Sequence, residues 1–370
     1  MSIQIVKVGK KNLKHFINFQ YDLYKNDKFW IGELKMDAKH ALTSDPFWKH
    51  AHKQLFLAYK DGKIAGRIAA IINHTHIEYW GERTGMFGFF ECIDDKQVSK
   101  ALFNAAKEWL REKGMSVIKG PFNPSTNHTC GMLVNGFDED PFIMMPYNFS
   151  YYPELMEAEG FVKAKDLLAF ERVAADKFTP RFEKIVARAL RSKDIKLRRI
   201  NLKNLNAEIM TVRHIYNAAW AQNWGFLPIS EAEILNTAKQ LKMIADAKIT
   251  CVAEINGVPV GFYIAIPNMN HMLKILKGTI LNPFKLIKGL IAWKKIKDVR
   301  LIMLGVLPEY RHRGVELILI KDIVEHGVDV GYGKAELSWM LEDNKDIINV
   351  VTETGCRKSD RVYRIYQSPI

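Results

Sequence analysis

Leu301-Ile302-Met303-Leu304-Gly305-Val306-Leu307-Pro308-Glu309-Tyr310-Arg311-His312-Arg313-Gly314-Val315-Glu316 is the stretch on which the reading of this chain turns. Leu301 to Leu307 is an apolar run of strand length, and Pro308 stops it. Arg311, His312 and Arg313 crowd three basic side chains into the turn, and Gly314 opens the next run. Between Val315 and His326 the apolar positions Leu317, Ile320, Ile323 and Val324 recur at helical spacing. A strand, a basic turn with one glycine and a helix point bare N–H groups and a positive helix end at whatever occupies the turn. Phosphate is the natural occupant. An ordinary strand-to-helix connection with basic surface residues has the same pattern, so this stretch alone leaves both readings open.

Working outward, the same order of elements occurs twice. In the first half, Gln54–Tyr59 and Ile64–Ile72 flank the turn Lys60-Asp61-Gly62-Lys63, a hairpin signal. Gly85–Cys92 reads as a third strand, Asp94-Asp95 caps a helix over Lys96–Lys113, and Ser116–Lys119 is a short strand. Pro121–Tyr152, rich in Pro, Asn, Gly and aromatics, reads as a long loop with a strand near Phe142–Met145. A helix over Pro153–Glu159 ends at Gly160, and Lys165–Val173 closes the half. The second half has helices over Lys184–Lys193, Glu208–Asn223 and Glu231–Met243, then a hairpin over Asn256-Gly257. The opening strand and helix follow, then the strand Ala335–Met340, a helix capped by Asp343 and ending at Gly355, and the strand Val362–Tyr366. Gly66 and Gly261 stand 195 positions apart, and so do Gly160 and Gly355. Two tandem α/β domains, 1–175 and 176–370, explain that spacing.

The 370 residues suffice for two such cores. A formal charge of +13 calls for an anionic partner: a phosphorylated cofactor, a membrane surface or nucleic acid. Cys92, Cys130, Cys251 and Cys356 form no C-x-x-C pair, so neither a zinc finger nor a disulfide scaffold is expected, no metal is called for, and a reducing cytoplasm fits. The N-terminus has no signal-like apolar core, and no run approaches the length of a membrane span.

The order hairpin, central strand, basic turn with glycine, helix, strand, helix ending in glycine, final strand resembles the GNAT N-acyltransferase superfamily, most closely in residues 180–370. That family's pyrophosphate loop has Arg or Gln, two residues, Gly, one residue, then Gly or Ala. Arg311, His312, Arg313, Gly314 and Val315 match, and Glu316 departs at the last position. The family's later helix often starts at an Asn with a Gly eleven residues on, an interval that Asn344 and Gly355 keep. A Tyr commonly stands seven residues after that Asn, where it protonates the leaving thiolate; Val351 stands there. The fold class implied is α/β, with a mixed sheet, in tandem duplicated GNAT-like domains. The chain, including Phe87–Cys92 and Leu337–Asn344, also resembles a family of bacterial tandem-GNAT proteins. That resemblance implies acyl-CoA-dependent N-acylation, with long-chain amines such as sphingoid bases as acceptors in some members.

On this resemblance the donor is acetyl-CoA or a longer acyl-CoA. Leu304, Gly305, Val306 and Leu307 supply oxyanion and pantetheine contacts, while Arg311, His312, Arg313, Gly314, Val315 and Asn344 hold the rest of the cofactor. If Glu316 faced the pyrophosphate, repulsion at about 6 Å would be roughly 3 kcal/mol per charge pair at an effective dielectric near 20. Glu342, at the end of its strand, and His128 are the base candidates, although a surface carboxylate and a loop histidine are the more ordinary identities of the two. Tyr366, with Tyr363 beside it, is the substitute acid or a strand aromatic. The first half lacks the loop: Asp94-Asp95 follow its central strand, and two carboxylates at a helix start repel a pyrophosphate. It reads as a degenerate GNAT-like domain that holds no CoA. Its segment Asn123–Gly131 fits either a polar wall of the acceptor pocket or a turn that satisfies its own backbone.

The insertion 268–300 carries Lys274, Lys277, Lys285, Lys288, Lys294, Lys295, Lys297 and Arg300 against Asp298 alone. Its apolar residues, among them Phe284, Ile287, Leu290, Ile291 and Trp293, keep near-helical spacing across a break at Asn282-Pro283. A basic amphipathic helix with a Trp suits an anionic membrane surface, where half of those groups at ~1 kcal/mol each would give about 4 kcal/mol. A helical excursion packed on its own domain, with lysines in water, also fits. Nucleic acid is not expected, because the apolar side chains would have no purpose there. The resemblance and the insertion together lead to the expectation of a cytoplasmic N-acyltransferase, peripheral on the inner face of the membrane where the insertion meets lipid, taking acyl-CoA and an amine that is a small molecule or a lipid. The alternative is a non-catalytic GNAT-like protein for ligand sensing or assembly.

Overall fold

The computed structural model describes residues 2–191 and 194–370, and they form two compact units. The units are discontinuous in sequence, whereas the expected division ran through one point near residue 175. The first unit takes residues 1–167, 272–290 and 361–370; the second takes 168–271 and 291–360.

In the first unit the strands Ile3–Lys7, Ala51–Lys60, Lys63–Asn73 and Thr84–Cys92 pair antiparallel in that order. Thr84–Cys92 then runs parallel to Val117–Gly120, which pairs antiparallel with residues 366–369 of the chain's last strand. The helix Lys96–Glu112 covers one face. Asp95 caps it, its carboxylate accepting from the N–H groups of Gln97 and Val98. Val98, Leu102, Phe103, Ala106 and Leu110 recur every three or four residues and bury their side chains against Phe87, Phe90 and Ile118.

The second unit repeats the pattern. Ile195–Arg199, Thr250–Ile255, Val258–Pro267 and Asp298–Val306 pair antiparallel, and Asp298–Val306 runs parallel to Lys334–Leu341. Residues 168–173 complete this sheet beside Lys334–Leu341. The helix Val315–Asp329 covers one face through Val315, Leu319 and Ile323. Both hairpins turn on two residues of positive φ, Asp61-Gly62 and Asn256-Gly257, the backbone that a two-residue turn needs. A Cβ at Gly66 would strike Leu102 of the long helix at 2.7 Å, and one at Gly261 would meet Leu319 of the second long helix at 3.2 Å. Gly66 and Gly261 therefore do the same job: each lets a helix lie close on its sheet.

Four details differ from the sequence reading. No strand forms at Phe142–Met145, because Pro141 and Pro146 bracket it, Met144 has φ +61°, and a proline gives no N–H to a ladder. The strand lies instead at Met132–Asn135, paired with residues 362–364. The later helix of the second half is capped by Asn344, not Asp343: its Oδ1 accepts from Ile347 N–H at 3.4 Å. The helix expected over Lys184–Lys193 spans Pro180–Ala189, and positions 192 and 193 lie outside the described residues. The strands Ile3–Lys7 and Ile195–Arg199 and the helices Lys35–Thr43 and His74–Trp80 were not expected, being short and weakly periodic.

His76 gives the first unit a pH dependence. Burial foremost, then the Lys119 cation, push its imidazole down to about 4, although the Glu82 carboxylate pulls the other way. The folded chain then holds fewer protons than the unfolded one, whose histidine titrates near 6.5. Stability therefore falls as pH drops from about 6.5 to about 4, by up to about 3 kcal/mol, and this contribution levels off below. Urea unfolding at stepped pH should show that slope, and His76→Leu should remove it; an unchanged slope in the variant would refute the assignment.

A split sheet and an open anion loop

The central strand Asp298–Val306 is the element from which the candidate site is built. Its ladder with Lys334–Leu341 runs from Asp298↔Lys334 to Leu301↔Leu337 and stops there. Beyond that point the ladder does not join Ile302–Val306 to Ser338–Leu341, and we call the gap in pairing between these two segments the wedge. Arg300 closes its apex: the buried guanidinium donates to the Ser338 carbonyl at 3.0 Å and to its Oγ at 3.1 Å, and lies 4.9 Å over the Trp339 ring. On the other edge Leu307 N–H donates to Val260 O at 2.8 Å. Antiparallel pairing alternates, so Gly305 and Met303 direct their N–H groups the same way as Leu307. That leaves the N–H groups of Leu304 and Val306 for the wedge. Gly305 makes room for the Trp220 ring, whose carbons would stand 2.5 Å from a Cβ there.

The strand leads through the short helix Pro308–Tyr310 into the basic turn. Arg311 has φ −61°, His312 +64° and Gly314 +81°, so two left-handed residues break up the turn, a backbone of the kind from which anion-binding nests are made. Gly314 is the N-cap of the helix Val315–Asp329, and no side chain caps it. Among the described residues, no acceptor on the chain takes the N–H groups from His312 to Leu317. Arg311 is held in place by donating to the Ala219 carbonyl at 2.5 Å, at the end of the helix Leu205–Ala219, where a cation is favoured. The Arg313 guanidinium lies 5.3 Å over the Tyr310 ring. All three basic side chains of the turn are exposed.

Glu316 sits in the first turn of that helix and is half-buried. Its Oε2 is buried without a hydrogen-bond partner. A carboxylate in that state opposes a phosphate bound next to it. Glu316→Gln is therefore expected to tighten acetyl-CoA binding roughly tenfold, about half of the unscreened repulsion at 6 Å. Isothermal titration reads this directly, and equal affinities would place Glu316 outside the site.

The remaining candidates are distributed over both units. Glu342 follows directly on Lys334–Leu341 and is half-buried. Asn344 is a helix cap. Val351, where the family often has its Tyr, is buried among Phe170, Leu337 and Cys356. His128 belongs to the first unit, where Nδ1 stands 2.8 Å from Ser125 Oγ and Nε2 3.7 Å from the Asp45 carboxylate. Burial raises Asp45, but His128 and the Phe47 N–H outweigh it and hold this carboxyl below its usual range. Tyr366 also belongs to the first unit, buried in its core with Met132 and Tyr152, and burial raises its phenol. Sequence reasoning missed Arg300, Ser338 and Trp220; Arg300 stood out only as one more basic residue in a run.

The first unit has the corresponding split, after Met86↔Lys119, but the chain itself occupies it. A Cβ at Gly88 would fall 1.7 Å from the Phe122 carbonyl oxygen, and Asn123 Oδ1 accepts from Phe89 N–H at 2.6 Å.

Residues 209–355 match the model of the acetyltransferase (GNAT) family. The chain is 35% identical over 367 residues to the bacterial ceramide synthase of Caulobacter vibrioides, covering 97% of this chain and 95% of that one. It is 34% identical over 371 residues to protein YghO of Escherichia coli K12, covering 98% and 94%. Among solved structures, a tandem GNAT protein from the clavulanic acid biosynthesis pathway superposes with a TM-score of 0.56 at 12% identity, covering 100% of this chain and 98% of that one. That likeness is one of fold, in two copies. With relatives above 30% identity along nearly its whole length, the chain belongs to the GNAT acyltransferase family, in the tandem, duplicated form.

Proposed function

We propose that this protein transfers an acyl group from acyl-CoA to the nitrogen of a long-chain amine, and that the second repeat alone holds the CoA. The observation that carries the reading is the row of N–H groups from His312 to Leu317 that, among the described residues, donate to no acceptor of the chain, set where the ladder between two parallel strands has ended. A pyrophosphate on those groups places pantetheine along the wedge, with the thioester carbonyl facing the N–H groups of Leu304 and Val306. The amine nitrogen attacks that carbonyl carbon, and the two N–H groups hold the negative oxygen that develops. The C–N bond forms, the C–S bond breaks, the amine loses a proton and the thiolate takes one.

Glu342 is our candidate for the proton acceptor, directly or through water, because it follows the strand that forms one wall of the wedge. Val351 cannot act as an acid, so the thiolate takes its proton from solvent or from the Glu342 carboxyl. The plugged split of the first repeat supports a single CoA per chain. A long-chain acceptor is favoured by the name of the Caulobacter relative, since a ceramide is a long-chain amine carrying an amide-linked acyl group.

The experiment is a panel of acetyl-, octanoyl- and palmitoyl-CoA against small amines and sphinganine, read by mass spectrometry. Expected is an amide of sphinganine with one equivalent of free CoA, formed only when both substrates are present. Release of CoA without an amide, or no product anywhere in the panel, would overturn the reading.

A further inference from the structure

The insertion described in the sequence packs outward in an unusual way. Residues 272–290 belong to the first unit, anchored by Leu276, by an ion pair of Lys274 with Asp140 at 2.5 Å, and by the Gly278 carbonyl, which accepts from Lys35 N–H at 2.9 Å. The helix Pro283–Trp293 rests on the helix Asn270–Leu276 through its smallest residue: a Cβ at Gly289 would come within 3.1 Å of Met272 and 3.5 Å of Leu276. Its apolar stripe faces away from that contact. Phe284 is 76% exposed, Ile287 58% and Ile291 52%, and Leu281 just before the helix is 89% exposed. A helix in water buries such a stripe. This one presents it, with Trp293 and Leu290 also exposed.

We propose that this face is a docking surface for an anionic lipid bilayer. Lys285, Lys288, Lys294 and Lys295 flank the stripe, and no acidic residue occurs from Asn282 to Lys297. Apolar side chains at the centre with lysines around them match the acyl and headgroup layers of a negatively charged leaflet. A second copy of the chain is a poor occupant, because two such faces would bring eight lysines together. Nucleic acid would leave the stripe in water. Contiguous exposed apolar residues of this kind mark a binding surface rather than ordinary surface scatter. The inference does not rest on acyl transfer, and on that reading it adds a route by which a lipid amine reaches the enzyme.

The test is flotation of the full chain with vesicles of phosphatidylethanolamine and phosphatidylglycerol, against vesicles of phosphatidylcholine alone. The wild type should float with the anionic vesicles and partition roughly tenfold less to the neutral ones. Phe284→Asp/Ile287→Asp and Lys288→Glu/Lys294→Glu/Lys295→Glu should each lose at least about tenfold, with unchanged melting temperature, since these side chains are exposed. Wild type that stays at the bottom with anionic vesicles overturns the proposal, as do variants that float equally well. A concentration-dependent dimer abolished by Phe284→Asp/Ile287→Asp, without vesicle binding, also overturns it and assigns the face to a second copy.

Discussion

Gly314→Ala is expected to lower acetyl-CoA affinity by about a hundredfold. Two costs combine there. The backbone is left-handed, at φ +81°, a conformation that costs a residue with a Cβ roughly 1–2 kcal/mol. The new Cβ would also lie 2.6 Å from the Ala189 Cβ, so either the loop or the end of the helix Pro180–Ala189 must move. Movement of the loop would disperse the N–H groups proposed to hold the phosphates, and positioned donors lose much of their effect with displacements of this size. Ala189→Gly removes one of the two costs, so the double variant should recover part of the affinity. Calorimetry on the three proteins distinguishes this from general unfolding: an intact melting transition with lost binding is the expected pattern, and unchanged binding in Gly314→Ala would mean that the loop is not used.

Arg311→Glu/Arg313→Glu should have an effect of similar size. Both side chains are exposed, so the dielectric is close to that of water, and a charge pair at 6 Å is worth about 0.7 kcal/mol. Inverting two charges changes four units of charge against each phosphate charge, about 3 kcal/mol or roughly a hundredfold in affinity at low salt. The loss should shrink as salt is added, because the Debye length falls to about 8 Å at physiological ionic strength. A salt-independent loss would instead point to structural damage, for which the Arg311 contact with the Ala219 carbonyl is the natural origin.

How much of this could be read from the chain itself depended on how local the cause was. The loop was legible because proline, three basic residues and glycine act over a few positions, and Gly314 takes the left-handed cap that the pattern requires. The duplication was legible because one pair of glycines, Gly66 and Gly261, answers to helix packing in each unit, and the other, Gly160 and Gly355, to left-handed backbone after a helix. The composition of the units was not legible, since nothing local tells residues 361–370 which strand they will pair with. The wedge was not legible, because the end of a ladder at Leu301 and Leu337 depends on strands far apart in sequence. The same holds for Phe122 and Asn123, whose place against Gly88 and Phe89 closes the first split. Tyr366 looked like a free strand aromatic near the second site, but its strand end is built into the first unit's core.

The most direct measurement is the stoichiometry of acyl-CoA binding by isothermal titration of the full chain with acetyl-CoA and palmitoyl-CoA. One site per chain, weakened about a hundredfold in Gly314→Ala, is the predicted result. Two sites per chain, or no heat at sub-millimolar ligand, would contradict it.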